Sequence, residues 1–294
     1  MSRTIALVAS GEMGAALGGR LVAAGLRVLT RLSGRSASSV ARARAAGMQD
    51  AGDHELAACR LFISVVPPAA ALETARWYAD IAARHPAGGD APARVYLDLN
   101  AIAPETVARI EAMLAPAGVA LCDGCIIGTP PRPGHDGPFV YGAGPHRAAV
   151  SLLADAGLET IALDGPNGAA SALKMCFAGI MKGLTAVGSA SFIAASRVGA
   201  DEALARQLER SQPELMAWFT RQMPAMYDKS GRWVAEMEQI AAFLERDEGA
   251  GLFDGAATLY AGLAEQTAAG TARRALLAPR FPPRRTLPGD IDRA

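Results

Sequence analysis

The sequence predicts an α/β protein in which a doubly wound parallel sheet is followed by an all-α C-terminal domain. Before residue 165, short runs rich in β-branched residues alternate with alanine-rich amphipathic stretches, the pattern of successive βαβ units. After GPNG at 165–168, an alanine-rich stretch continues to Gly199 with only isolated glycines, and further helical patterns follow. A chain of 294 residues is long enough for two domains that each bury a core.

The periodicity assigns individual elements to both halves of the chain. We expect strands at 5–9, 27–30, 61–66, 95–99 and 119–121. Helical patterns cover 13–24, 69–84, 104–115, 211–226 and 232–244, and Pro104 suits a first turn, where its missing N–H would have no partner. We therefore divide the chain into a sheet domain at 1–164, a helical domain at 165–278 and a flexible tail at 279–294, where four prolines oppose regular structure.

Charge and composition narrow the kind of partner. Lysines and arginines balance aspartates and glutamates at 29 each, which argues against a nucleic-acid or anionic-membrane surface and favours a small-molecule substrate. No apolar run reaches membrane-spanning length and the first residues do not resemble a secretion signal, so we expect a cytoplasmic protein. Only Cys122 and Cys125 have CxxC spacing and the four histidines are scattered, so we expect reduced structural cysteines and no metal site.

A glycine turn follows the first predicted strand. In SGEMG, Gly11 and Gly14 match the second and third glycines of GxGxxG, while Ala9 replaces the first. Gly11 would let backbone N–H groups approach a pyrophosphate, and Gly14 would allow close helix packing. A glycine kept merely for a positive φ is the alternative. Because the turn links a strand to a helix and a second strand follows, we expect a Rossmann-type dinucleotide site contacted by Ser10, Gly11, Glu12, Met13 and Gly14.

The end of the second predicted strand indicates which dinucleotide binds. The segment LTRLSGRS lacks the acid that holds the ribose hydroxyls of NAD and instead offers Thr30, Arg31, Ser33 and Arg35. A guanidinium can pair bidentately with a 2′-phosphate, so we expect NADP in preference to NAD. The alternative is that Arg31 and Arg35 lie on a solvated loop without a ligand.

Four segments taken together resemble a known family. SGEMG, ISVVPP, DLNAIAP and GPNGAASALKM occur in the order found in the 3-hydroxyisobutyrate and 6-phosphogluconate dehydrogenase group, the β-hydroxyacid dehydrogenases. KMCFAGIMKG and RWVAEMEQIAAFL are similar to the branch with the C-terminal domain of unknown function DUF1932. The resemblance implies an NAD(P)-dependent oxidoreductase that transfers hydride between nicotinamide and a small hydroxy or carbonyl substrate, and it implies a homodimer.

The resemblance also implies roles for particular residues. Val66, Pro67 and Asn100 fall in segments that lie near the cofactor, although the threonine of the group's DxSTxxP motif is lost here. Asp123 and Gly128 fall in the substrate-binding segment, where Ile127 replaces a substrate-contacting serine. Lys174 matches the catalytic lysine, whereas Ala178 replaces the asparagine one turn later. These departures imply a substrate other than the group's familiar hydroxy acids.

Hydride transfer at a carbonyl carbon requires a proton to be delivered to, or removed from, the oxygen. A lysine whose pKa is lowered by burial can do both, so Lys174 is the expected general acid and base. Ser171 and Lys182 lie on the same broad helix face by i, i+3 and i+4 spacing and are expected to bind an anionic substrate. The alternative is that both lysines extend from the helix to solvent.

Several alternatives remain open from the sequence. Trp233 and Glu236 either close the substrate pocket or form a packed tryptophan beside a surface ion pair with Arg232. An imine reductase on the same scaffold, or a catalytically silent NADP-binding protein, is the alternative to a dehydrogenase. The sequence identifies neither the substrate, nor the direction of the reaction, nor whether a decarboxylation follows.

Overall fold

The computed structural model describes residues 4–86, 93–131, 137–244 and 249–283. The chain forms two compact units, Met1–Met175 and Cys176–Ala294. The division between them falls eleven residues beyond the expected boundary, inside a long helix that begins in the first unit. Each unit has its own secondary structure and packing.

The first unit is built on one eight-stranded sheet. Its strands are β1 (Thr4–Val8), β2 (Arg27–Thr30), β3 (Gln49–Asp50), β4 (Leu61–Ser64), β5 (Arg94–Asp98), β6 (Val119–Ile127), β7 (Phe139–Ala143) and β8 (Glu159–Ala162). Their spatial order is β3-β2-β1-β4-β5-β6-β7-β8, parallel from β3 to β6, with β7 antiparallel to β6. The order of the six parallel strands is that of dinucleotide-binding doubly wound sheets, so the predicted fold class is confirmed.

Helices cover both faces of this sheet. They are α1 (Glu12–Ala23), α2 (Ala37–Ala45), α3 (Asp53–Ala58), α4 (Ala71–Arg84), α5 (Pro104–Leu114) and α6 (Ser151–Ala154). One buried cluster packs α3, α4 and α5 around Phe62, Tyr78 and Tyr96, and a second packs α1, α2 and α6 on the other face. The near-continuous apolar character of the central strands follows from burial on both faces.

The described part of the second unit is all-α. Helix α7 (Ala169–Arg197) enters it from the first unit and is followed by α8 (Asp201–Ser211), α9 (Pro213–Gln222), α10 (Ser230–Phe243), α11 (Ala250–Ala264) and α12 (Ala268–Leu277). The helix predicted at 211–226 begins two residues later, because Gln212 has non-helical backbone angles (φ −144°, ψ 58°) and Pro213 opens the next helix. Methionines and Tyr260 fill much of the core of this unit.

The chain beyond α12 remains packed for several residues. Phe281 is buried and meets Phe192 edge to face at 4.9 Å, and Arg280 contacts the carboxylates of Glu202 and Glu209. The segment that the prolines predicted to be flexible is therefore fixed by an aromatic contact as far as Phe281. Residues 284–294 of that predicted tail lie outside the described residues.

Among the described helices, α7 alone is long and apolar enough to cross a membrane by length and composition. The sequence predicted no such segment, because two lysines interrupt the apolar residues of α7. The core helix of a soluble protein meets the same criterion, so the finding does not assign α7 to a membrane.

Candidate functional site

The glycine turn lies between β1 and α1, at the carboxyl edge of the parallel strands. Gly11 is the N-cap of α1, with extended backbone angles, and a Cβ placed on it would meet nothing within 4 Å. A Cβ on Gly14 would overlap the carbonyl oxygen of Ala9, so the helix approaches the strand more closely than any other residue would allow. The first amides of α1 thus have no capping side chain and lie beside open space, which suits an anion.

Two buried hydroxyls beside this turn lack partners. Within the described residues, Ser10 Oγ and Thr30 Oγ1 are inaccessible to solvent and form no hydrogen bond. Buried hydroxyls are normally paired, so both are available to a bound polar group. Arg42 also reaches the turn, where its Nε donates to the Ser10 carbonyl at 3.3 Å. The open helix terminus and the unpaired hydroxyls fit the phosphates and ribose of a dinucleotide.

The predicted 2′-phosphate residues share one cavity. Arg31, Ser33 and Arg35 line a space of about 260 Å³ at the end of β2, together with residues of α4. The Arg31 guanidinium lies 4.8 Å from the centre of the Trp77 ring. The α4 residues of the cavity were not identified from the sequence, where their helix reads only as an amphipathic core element; they are Glu73, Thr74 and Trp77.

Asn100 links the ends of β4 and β5. Its Oδ1 accepts the Val66 N–H at 2.6 Å, while its Nδ2 donates to Ser64 Oγ at 3.0 Å and to Asp98 Oδ2 at 2.8 Å. The amide is therefore fully used inside the protein and is buried. We expected Asn100 to contact the cofactor, but the structure gives its side chain a supporting role. Val66 is buried too, and Pro67 beside it is exposed.

Asp98 is a buried carboxylic acid in this network. Burial raises the pKa of Asp98 to about 7, although hydrogen bonds from Asn100 lower it. Asp123 lies opposite Asp98 in the register of β5 and β6, and its charge adds to the increase. Two neighbouring buried carboxyls disfavour ionisation of each other.

Asp123 caps the start of α7. Its Oδ2 accepts the N–H groups of Gly168, Ala170 and Ser171 at 2.9, 2.8 and 3.1 Å, and its Oδ1 accepts the Ser171 hydroxyl at 2.7 Å. Both side chains are fully buried. The oxygens of both side chains are committed to the helix terminus, so the geometry gives no support to the expectation that Asp123 and Ser171 bind substrate.

Lys174 lies one turn into α7, against the end of β6. Its Nζ donates to the carbonyl of Ile126 at 2.6 Å. Burial lowers the pKa of Lys174. Burial raises the pKa of the Cys125 thiol to about 12, so the thiol is neutral. The lysine is thus a partly buried, anchored ammonium whose proton is held less tightly than that of a surface lysine.

Gly128 follows β6 with a φ of +129°, and a Cβ there would approach Pro138 Cα to 3.0 Å. The backbone conformation and the close neighbour account for glycine at this position without a substrate. The predicted substrate role of Gly128 therefore has no support from its geometry.

Lys182 lies in the second unit and forms an ion pair with Glu236. Its Nζ is also 5.8 Å from the centre of the Trp233 ring, and Arg232 Nε is 3.6 Å from the second oxygen of Glu236. The sequence predicted that Lys182 binds an anionic substrate, but Glu236 already neutralises it. Trp233 is buried, so the packed tryptophan beside an ion pair is the alternative that the geometry favours.

Comparison with known proteins finds a domain family that matches part of the second unit and solved structures that resemble most of the chain. Residues 195–263 match DUF1932, a domain of unknown function. No curated protein matches the chain. A conserved protein of unknown function, MTH1747, described as similar to 3-hydroxyacid dehydrogenases, is 26% identical, with 87% of this chain and 98% of that chain covered and a TM-score of 0.70.

Proteins of more distant sequence share the fold. The Mycobacterium tuberculosis 3-hydroxyisobutyrate dehydrogenase, solved with L-serine, is 20% identical over 94% of this chain and 99% of its own, with a TM-score of 0.71. Psf3, solved with NADP⁺, is 17% identical over 92% and 99%, with a TM-score of 0.64. A Streptomyces aurantiacus imine reductase is 18% identical over 93% and 99%, with a TM-score of 0.55. The resemblance is confirmed for the C-terminal domain and for the hydroxyacid-dehydrogenase-like fold.

Proposed function

We propose that this protein is an NAD(P)-dependent oxidoreductase that acts on a small hydroxy or carbonyl substrate, with Lys174 as general acid and base. Two features of the first unit, the glycine turn and Lys174, carry the proposal. A glycine turn with unpaired hydroxyls suits a dinucleotide, and an anchored lysine with a lowered pKa lies at the end of β6. Ligands of open α/β sheets bind at this carboxyl edge.

The chain offers partners for each part of the cofactor. The backbone at 10–14 would hold the pyrophosphate, and Arg31, Ser33 and Arg35 would hold a 2′-phosphate, which favours NADP over NAD. The segment after β4, with Val66 and Pro67, would border the nicotinamide, and Asn100, just beyond the end of β5, fixes that segment by accepting the Val66 N–H. When bound, the nicotinamide supplies or accepts a hydride.

Lys174 would move a proton at the substrate oxygen. As an ammonium it donates the proton when the oxygen becomes negative, and as an amine it removes the proton from a hydroxyl. A lowered pKa brings both forms closer to the working pH, and such catalysis is typically worth about 10²–10⁴ in rate. The bond to the Ile126 carbonyl fixes the Nζ position without neutralising its charge.

An imine reductase is the second candidate, because solved imine reductases share this fold. Ile127 and Ala178 remove the polar groups that the hydroxyacid dehydrogenases place beside their substrate, which suits a less polar substrate. Lys174 favours the dehydrogenase, since it matches the lysine that the hydroxyacid dehydrogenases use as general acid and base.

A panel of hydroxy acids, keto acids, sugar acids and imines tests the proposal, with oxidation or reduction of NADP(H) and NAD(H) followed by absorbance. We expect turnover of at least one substrate and a loss of about 10²–10⁴ for Lys174→Met, with cofactor binding retained. Unchanged turnover in Lys174→Met would refute the role of the lysine. Turnover of imines alone would favour the second candidate, and cofactor binding without turnover would indicate a silent protein.

We also propose a homodimer formed through α7 and α11. Large apolar side chains are exposed on these helices, among them Ile180, Val187 and Leu252 at 63%, 62% and 75%. They border an apolar groove of about 360 Å³ whose floor includes Gly179 and Gly183. Protruding side chains beside a glycine-lined groove suit a second copy of the same face. Light scattering should give twice the chain mass, and Leu252→Glu should reduce it; a monomeric wild type would refute the proposal.

A further inference from the structure

Arg31 and Trp77 meet across the cavity at the end of β2. Arg31 follows β2, Trp77 belongs to α4, and the guanidinium carbon lies 4.8 Å from the ring centre. Both line the cavity, whose other polar residues are Ser33, Arg35, Glu73 and Thr74. The contact therefore lies inside the cavity expected to receive a 2′-phosphate.

The core of the first unit fixes the Trp77 ring. Trp77 packs against the buried aromatic cluster and meets Phe62 at 6.0 Å with an interplanar angle of 61°. Phe62 in turn packs on Tyr78 and Tyr96 at 4.0 and 5.1 Å. An aromatic ring held on one side by such a cluster offers a rigid surface to the arginine on the other side.

A guanidinium on an aromatic face keeps its N–H groups available. Cation–π attraction acts through the planar face, whereas hydrogen bonds to a phosphate leave from the edge. A free arginine side chain carries rotamer entropy, and part of it is lost on binding unless the side chain is already held. A ring that holds Arg31 therefore improves its bond to a phosphate without touching the phosphate.

We propose that Trp77 is a positioning residue that holds Arg31 for the 2′-phosphate of NADP and thereby sets the preference for NADP over NAD. This proposal rests on the proposed function, since it requires that the protein binds a nicotinamide dinucleotide. It goes beyond it by assigning cofactor selectivity to a residue of α4 that lies outside the glycine turn and the β2 loop.

Calorimetric titration with NADP⁺ and NAD⁺ tests the proposal, because the two ligands differ only in the 2′-phosphate. The proteins are the wild type, Arg31→Ala, Trp77→Leu, Trp77→Phe and the double variant of Arg31→Ala with Trp77→Leu. Cation–π contacts of about 0.5–2 kcal/mol correspond to about 2–30-fold in affinity. Trp77→Leu should weaken NADP⁺ binding by this factor and leave NAD⁺ binding unchanged, and Trp77→Phe should lose less.

The double variant separates positioning from support of the fold. If Trp77 acts through Arg31, Trp77→Leu should have no further effect on NADP⁺ affinity once Arg31 is alanine. An equal loss in both backgrounds, or an equal loss for NAD⁺, would overturn the proposal. If Trp77→Leu does not fold, Trp77→Phe with and without Arg31→Ala gives the same comparison.

The outcomes also distinguish this inference from the proposed function. A wild type that binds NAD⁺ as tightly as NADP⁺ would overturn the role of Trp77 and leave the oxidoreductase intact. A wild type that binds neither dinucleotide would overturn both.

Discussion

Replacing Asp123 by alanine removes the acceptor for four donors at the start of α7. Three of them are backbone N–H groups and the fourth is the Ser171 hydroxyl, and the side chains of Asp123 and Ser171 are fully buried. An unsatisfied buried donor costs about 1–3 kcal/mol, so three backbone donors give about 3 kcal/mol at the lower limit. Release of a carboxyl whose pKa is raised by burial offsets part of this. We expect a net loss of about 2–3 kcal/mol in the free energy of unfolding.

Two further variants show which atoms matter. Asp123→Asn can keep an oxygen toward the three N–H groups while its NH₂ faces the Ser171 hydroxyl, so it should lose only about 1 kcal/mol. Ser171→Ala removes one donor and leaves the cap in place, so it should lose no more than about 1 kcal/mol. The order of stability is therefore Asp123→Ala below Asp123→Asn and Ser171→Ala.

Urea unfolding followed by circular dichroism measures these differences, and the reactivity of Lys174 toward an acylating reagent measures the helix position. Loosening the first turn of α7 weakens the bond from Lys174 to the Ile126 carbonyl, so Lys174 in Asp123→Ala should react faster than in wild type. An Asp123→Ala variant that is as stable as Ser171→Ala would refute the capping role. Unchanged Lys174 reactivity would refute the link between the cap and the lysine.

Three other predictions follow from buried or paired groups. The raised pKa of Asp98, about 7 against about 3.9 when unfolded, means that the folded state retains a proton between those values. Its contribution to stability is complete below about pH 4 and is lost as the pH rises through about 7; Asp98→Asn should remove this dependence from urea titrations, and an unchanged slope would contradict it. Gly11→Ala should keep the wild-type melting temperature and lose dinucleotide affinity. Gly14→Ala should lose affinity and also lower the melting temperature, because its Cβ would overlap the Ala9 carbonyl oxygen. Equal melting temperatures for the two variants would contradict the packing argument. Lys182→Met should lower the free energy of unfolding by about 1 kcal/mol and leave turnover unchanged. In a Glu236→Gln background the same substitution should cost less, because the ion pair is already lost. A higher KM with unchanged stability would restore the substrate role of Lys182.

Local patterns made the core of the first unit predictable. The central strands are buried on both faces and therefore form continuous apolar runs, and the glycine turn and Pro104 mark helix starts through backbone geometry. β7 and β8 were not predicted. Tyr141 and Gly142 interrupt the apolar pattern of β7. β8 is an edge strand that pairs only with β7, and none of its four residues is fully buried.

The role of a site residue could be predicted where it depends on residues adjacent in sequence. It could not be predicted where it depends on contacts between elements that are distant in sequence. Lys174 was assigned through its segment, but its Ile126 partner comes from β6. Asp123 was assigned to the substrate because its segment resembles the family's substrate-binding segment, whereas its four donors at the start of α7 could not be identified from the sequence. Lys182 likewise met Glu236 only because α7 and α10 pack together. Helical periodicity gives the face of each residue and leaves its tertiary partner undetermined.

The central claim is that the glycine turn and the β2 loop bind a nicotinamide dinucleotide for hydride chemistry. Calorimetric titration of the wild-type protein with NADP⁺ and with NAD⁺ tests it most directly. We predict saturable binding of one dinucleotide per chain, tighter for NADP⁺ than for NAD⁺, with a matching increase in melting temperature. No heat of binding and no change in melting temperature with either dinucleotide would contradict the claim.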